Sequence, residues 1–128
     1  MSTLTQTNNQ KLQGTWCVET ASVNGETIVP VVGQRLNFEG DHFRIDKDGS
    51  QIFGGQYHVP NANDPLHIDF EQSETEFMAG YWLGIYEVTD DHLTICDNAR
   101  DMSLPRPTGF TDGERENCIL IQYRRVAD

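Results

Sequence analysis

His42-Phe43-Arg44-Ile45-Asp46-Lys47-Asp48-Gly49-Ser50-Gln51-Ile52-Phe53-Gly54-Gly55-Gln56-Tyr57-His58-Val59 carries apolar residues at every second position on either side of a turn signal. Alternation of that kind is the mark of strands with one face buried. A three-residue turn at Asp48 to Ser50, with Gly49 in the left-handed region, pairs Phe43 with Gly55 and Ile45 with Phe53. Inward residues then face inward residues. A two-residue turn alone would set the two parities against each other.

The same texture extends outward from this hairpin. Gly40-Asp41 joins His42 to Asp46 back to a strand over Gln34 to Glu39, and a first strand is expected from Leu12 to Thr20, with Asn24-Gly25 as a turn signal between them. After Gln51 to Val59, the Asn61 to Pro65 stretch leads into Leu66 to Glu71. Further strands are expected at Gly80 to Val88, His92 to Asp97 and Cys118 to Val126. Helical periodicity is poor throughout. Eight strands linked mostly by hairpins predict an all-β, antiparallel up-and-down barrel, because closing the sheet removes its unpaired edges.

Parity assigns the interior to Leu36, Phe38, Phe43, Ile45, Phe53, Tyr57, Val59, Leu66, Ile68, Phe70, Leu93, Ile95, Ile119, Ile121 and Tyr123. If Val88 faces Leu93, then Trp82, Gly84 and Tyr86 point inward too. An interior of this lining either fills itself or holds one small ligand. Strand direction brings Trp16 and the Arg124-Arg125 pair to one pole, and puts residues 21–33, the Asp48 turn, 72–79 and 98–117 at the other.

The chain has 128 residues, enough for one domain, with residues 1–11 as a flexible or briefly helical segment and 12–128 as the barrel. Acidic residues outnumber basic ones 20 to 9, a formal charge of -11, which disfavours nucleic acid and anionic membranes as partners. Met1 to Gln10 lacks the apolar stretch of a signal peptide, and Cys17, Cys96 and Cys118 are odd in number without zinc-like spacing. A cytoplasmic protein with reduced thiols and no cofactor is expected. Oligomeric state is not written in the sequence.

Gly14-Thr15-Trp16 on a first strand and Arg125 on the last resemble the Gly-x-Trp and arginine pair of lipocalins and other calycins, a pairing with a physical basis in a cation over an indole. Leu12-Gln13-Gly14-Thr15-Trp16, Leu36-Asn37-Phe38-Glu39-Gly40-Asp41, Ile68-Asp69, Leu83-Gly84-Ile85-Tyr86-Glu87, Leu93-Thr94-Ile95-Cys96 and Arg106-Pro107-Thr108 together resemble a bacterial lipocalin-like domain family abundant in planctomycetes and largely uncharacterised. The resemblance implies a lipocalin-like barrel, and by analogy with calycins a site for small hydrophobic molecules. Strand direction sets the Trp16 pole opposite most of the long loops, so Trp16 and Arg125 are expected to be structural.

Candidate site residues follow from these placements. Gln34, Phe38, Phe53, Tyr57, Trp82, Tyr86 and Arg106 are expected to line a site for a small hydrophobic molecule, with phenol hydroxyls fixing its orientation. Gln34, Trp82, Asp97, Arg100 and Arg106 are expected to converge at the mouth, or Arg106 to pin the long loop by a hydrogen bond. The alternative is a cyclase or isomerase with Asp97, Tyr86 and Tyr57 moving protons; a second alternative is an acidic protein-interaction module. His42, His58 and His67 read as a surface cluster, with His58 expected opposite His67, and no metal site is assigned. Asp46-x-Asp48-Gly49-Ser50 reads as a hairpin turn, since the later ligands of a calcium loop are missing.

Overall fold

In the computed structural model of the chain, the structure describes residues 11–23, 26–27, 32–59, 66–72, 80–97, 106–107, 109–110 and 119–126. Asn24, Gly25, Asn61, Pro65, Arg100 and Cys118, singled out above, lie outside them. Strand β1 spans Gly14–Val23, β2 Glu26–Thr27, β3 Arg35–Glu39, β4 His42–Lys47 and β5 Ser50–His58. Beyond them β6 spans Leu66–Gln72, β7 Gly80–Val88, β8 His92–Asp97 and β9 Ile119–Arg125. Every pairing is antiparallel, and β1 pairs with β9 as well as β3. The sheet therefore closes into an up-and-down barrel, with the two-residue β2 added to the far end of β1.

The β4–β5 hairpin reaches the expected register by a different route. Its turn has two central residues, Asp48 at φ 53° and Gly49 at φ 83°, with Lys47 opposite Ser50. Both centres are left-handed, as the tight hairpin turn that matches strand twist requires. The parity mismatch this creates is absorbed one step later, where Ile45 faces Phe53 but Asp46 faces Gln51, leaving Ile52 as a bulge. Phe43 still faces Gly55.

A second irregularity bends β1, where Val18 pairs with Tyr123 and Thr20 with Gln122. Glu19 is the extra residue, and one strand serves β3 from Gly14 to Cys17 and β9 from Trp16 to Val23. The β5–β6 register differs from expectation by two residues: His58 faces Asp69, not His67, and Gln56 faces Glu71 on that side. His67 faces Ile85 across the next ladder.

The interior is one cluster of buried side chains, from Leu12 and Trp16 through Phe38, Phe43, Phe70, Trp82 and Tyr86 to Tyr123. Burying a side chain of this size contributes about 1.5–3 kcal/mol, offset by lost conformational entropy. The sixth major strand of the barrel, β7, turns Trp82, Gly84 and Tyr86 inward, opposite Phe70, Ile68 and Leu66.

The pole at the start of β1 is closed by side chains. Leu12 is fully buried and its carbonyl accepts a hydrogen bond from Trp16 Nε1 at 2.8 Å. The Arg125 guanidinium lies 4.1 Å from the Trp16 ring centroid. Its Nε donates to Asp90 O at 2.7 Å, Nη1 to Gln13 O at 2.8 Å and Nη2 to Lys11 O at 2.6 Å. Gly14 has φ +116°, and a Cβ there would stand 3.0 Å from Arg125 Nη1. The glycine two residues before the tryptophan is thus required by backbone conformation and by the arginine together. Gly14→Ala is expected to lower stability by about 1–3 kcal/mol, read from urea unfolding.

Candidate functional site

The barrel interior is aromatic along one wall. Phe38 meets Tyr57 edge to face at 4.6 Å between centroids, Phe43 meets Phe70 at 4.9 Å and Trp82 at 5.6 Å, and Phe53 meets Trp82 edge to face at 5.0 Å. These rings come from β3, β4, β5, β6 and β7, whose alternation turns one residue in two inward. The remaining wall, β8, β9 and β1, is mainly aliphatic, with Leu93, Ile95, Val18 and Ala21 buried and Ile121 partly so. Of the residues expected to line a site, Phe38, Phe53, Tyr57, Trp82 and Tyr86 are thereby brought into one interior.

Among the described residues, several polar side chains share that interior or its rim. Tyr57 Oη donates to Gly40 O at 2.7 Å and accepts from Gln13 Nε2 at 2.7 Å. Gln13 also donates to Gly40 O and accepts from Gly40 N, so this phenol helps tie the β3–β4 turn to the segment before β1. Tyr86 stands 1% exposed, and among the described residues its hydroxyl has no hydrogen-bond partner. Asp97, at the far end of β8, faces Gly84 and is 7% exposed. A Cβ on Gly84 would lie 2.8 Å from Cys96 O and 3.0 Å from Asp97 Cβ, so the glycine leaves room for the carboxylate. Gln72 is buried at the end of β6, where its Oε1 accepts from Gly54 N at 3.2 Å. The β5–β6 ladder ends one residue short of Gly54, and the glutamine side chain takes over there.

Burial raises the phenol pKa values. Desolvation pushes both Tyr57 and Tyr86 up to about 12 from an ordinary 10.0, Gln13 opposing the shift at Tyr57 and the neighbouring Tyr57 adding to it at Tyr86. Tyr123, buried on β9, is raised further by desolvation and by the charge of Asp97. A phenol whose folded pKa exceeds its unfolded one stabilises the fold fully below the unfolded value, and that contribution is lost as pH rises toward the folded one. Urea unfolding is therefore expected to show stability level to about pH 9 and falling steeply between pH 10 and 12. A flat profile across that window would contradict buried, protonated phenols.

Arg106 is placed outside the interior. Its Nη1 donates to Gly84 O at 2.8 Å and Ile68 O at 3.4 Å, and its Nη2 pairs with Asp69 Oδ1 at 2.6 Å. Asp69 alternates with the inward Ile68 and Phe70, so the guanidinium lies against the outer face of β6 and β7. Pro107 beside it is fully buried. Ile85 and Cys96 also have outward parity and no accessible surface, and stand apart from the interior cluster. Arg106 and Pro107 thus pack along the barrel wall. His67, on the same face, is held below its ordinary pKa by desolvation and by Arg106, against the pull of Asp69.

Arg106→Ala is expected to cost about 2 kcal/mol, since it strands Asp69 and removes charge-assisted bonds to two carbonyls. Peptide-resolved maleimide labelling should then show faster modification of Cys96. Unchanged Cys96 labelling would mean the segment does not shield that face. Gln34, on the inward parity of β3, is half-buried, its carbonyl accepting from Val18 N at 2.9 Å. Among the described residues no cluster of three or more His, Cys, Asp or Glu side chains is arranged to hold a metal ion.

Sequence reasoning found the aromatic wall and the inward Tyr123 by parity and missed Gln72 as an interior polar group. Tyr123 had the signal, sharing parity with Ile119 and Ile121. Gln72 sits at a strand end, where alternation gives none. Comparison with protein-family models, curated proteins and solved structures finds no match for this chain.

Proposed function

We propose that the chain is a lipocalin-like binding protein that takes one small, largely apolar molecule into its barrel, entered from the pole opposite Trp16. The observation that carries this reading is the Tyr86 hydroxyl, a fully buried donor without a partner among the described residues, inside a largely apolar, aromatic-walled barrel. A buried hydroxyl left unpaired costs about 1–3 kcal/mol, and a bound molecule that pairs it recovers that cost. A cytoplasmic setting is part of the same proposal, since Cys17, Cys96 and Cys118 are odd in number and lack zinc-like spacing.

Native mass spectrometry of freshly purified protein tests the reading. A retained mass released on denaturation is expected. Bare chain only, together with no uptake of an added hydrophobic dye by the folded protein, would overturn it. Asp97 favours a second reading, in which a substrate folded against the aromatic wall is cyclised or isomerised with a buried carboxylate moving the proton. Turnover of the released molecule, lost in Asp97→Asn with binding kept, would distinguish it.

A further inference from the structure

We infer that the molecule bound in the barrel is uncharged and carries a hydrogen-bond-accepting oxygen, a ketone or ether, at the end that enters first, where Tyr86 donates to it. This rests on the interior-binding reading above and adds the chemistry of the ligand's inner end. Tyr86 faces Leu66 and Ile95, in the half of the barrel toward the closed pole. The phenol nearest in character, Tyr57, donates its own proton to Gly40 O and accepts from Gln13. Burial keeps Tyr86 protonated at neutral pH, hence a donor.

Charge at the inner end is argued against by what surrounds it. A carboxylate buried there would need a cation, and a charge buried without one is expensive. Arg125 serves that pole, but its three donor nitrogens are already directed at Asp90 O, Gln13 O and Lys11 O, and its face at Trp16. Arg106 is engaged on the outer wall. The Asp97 carboxylate inside the barrel and the formal charge of -11 both act against an anion on its way in. A neutral oxygen meets the donor and needs no counterion.

Equilibrium dialysis with three probes of one shape tests this: 2-ethylnaphthalene, 2-acetylnaphthalene and 2-naphthoic acid. The ketone is expected to bind about tenfold more tightly than the hydrocarbon, the worth of one well-made hydrogen bond, and the acid more weakly than either. In Tyr86→Phe the ketone and hydrocarbon should bind alike, and the variant should melt no lower than the parent, since it loses an unpaired hydroxyl and no contact. Equal binding of ketone and hydrocarbon to the parent, or a ketone preference that survives in Tyr86→Phe, would overturn the inference while leaving interior binding intact. Tighter binding of the acid would overturn it too. Failure of all three probes, with no retained molecule in the native protein, would remove the binding reading itself.

Discussion

Arg125→Ala is expected to destabilise the protein by about 3–4 kcal/mol, the largest loss for any single charged residue among those described. Three carbonyl oxygens lose a charged donor at once, and the Trp16 indole loses the cation 4.1 Å from its centre. Because these bonds join the segment before β1, the β7–β8 turn and the end of β9, their loss loosens one pole as a unit. Lysine should not rescue it, since an ammonium cannot present the same planar fork. The measurement is urea unfolding of Arg125→Ala and Arg125→Lys, and a loss below 1 kcal/mol in both would count against a structural role. Ligand binding by the folded fraction should survive.

Phe43→Ala is expected to cost a similar amount, about 4 kcal/mol, for a different reason. Phe43 has no accessible surface and touches the rings of both Phe70 and Trp82, so its removal leaves a cavity in the middle of the aromatic wall. The surrounding strands cannot collapse to fill it, because their separation is set by ladder hydrogen bonds. Phe43→Leu should recover about half of the loss. If Phe43→Ala unfolds like the parent, the wall is not close-packed and the account of the interior is wrong.

Both sites are legible in the sequence, through parity and through the glycine, tryptophan and arginine of the first and last strands. Parity survives the errors that sequence makes elsewhere. The β5–β6 register is the instructive case: pairing His58 with His67 and pairing it with Asp69 differ by two residues, and a slip of two returns every side chain to the same face. Hydrophobic pattern cannot choose between them. At the Asp48-Gly49 turn the pattern gave the right partners and the wrong turn, because a bulge at Ile52 restores what a two-residue loop disturbs.

Arg106 shows the other limit. Nothing in the spacing says whether Arg106 reaches the barrel mouth or lies against the wall, and two of its three partners there are backbone oxygens, of Ile68 and Gly84, which every residue possesses. The same holds for Tyr57. Its inward parity was legible, but the bond to Gly40 O that occupies its hydroxyl depends on Gln13, thirteenth in the chain and close only once the pole has formed.

The closed pole and the aromatic wall proposed to bind each contain one of the chain's two tryptophans, Trp16 and Trp82. Their indole N–H resonances therefore report the two regions separately. In a nitrogen-resolved NMR titration with 2-acetylnaphthalene, the Trp82 signal is expected to shift with saturation and the Trp16 signal to stay in place. Movement of Trp16 with Trp82 fixed, or no movement of either at saturating probe, would contradict an apolar binding site in the barrel interior.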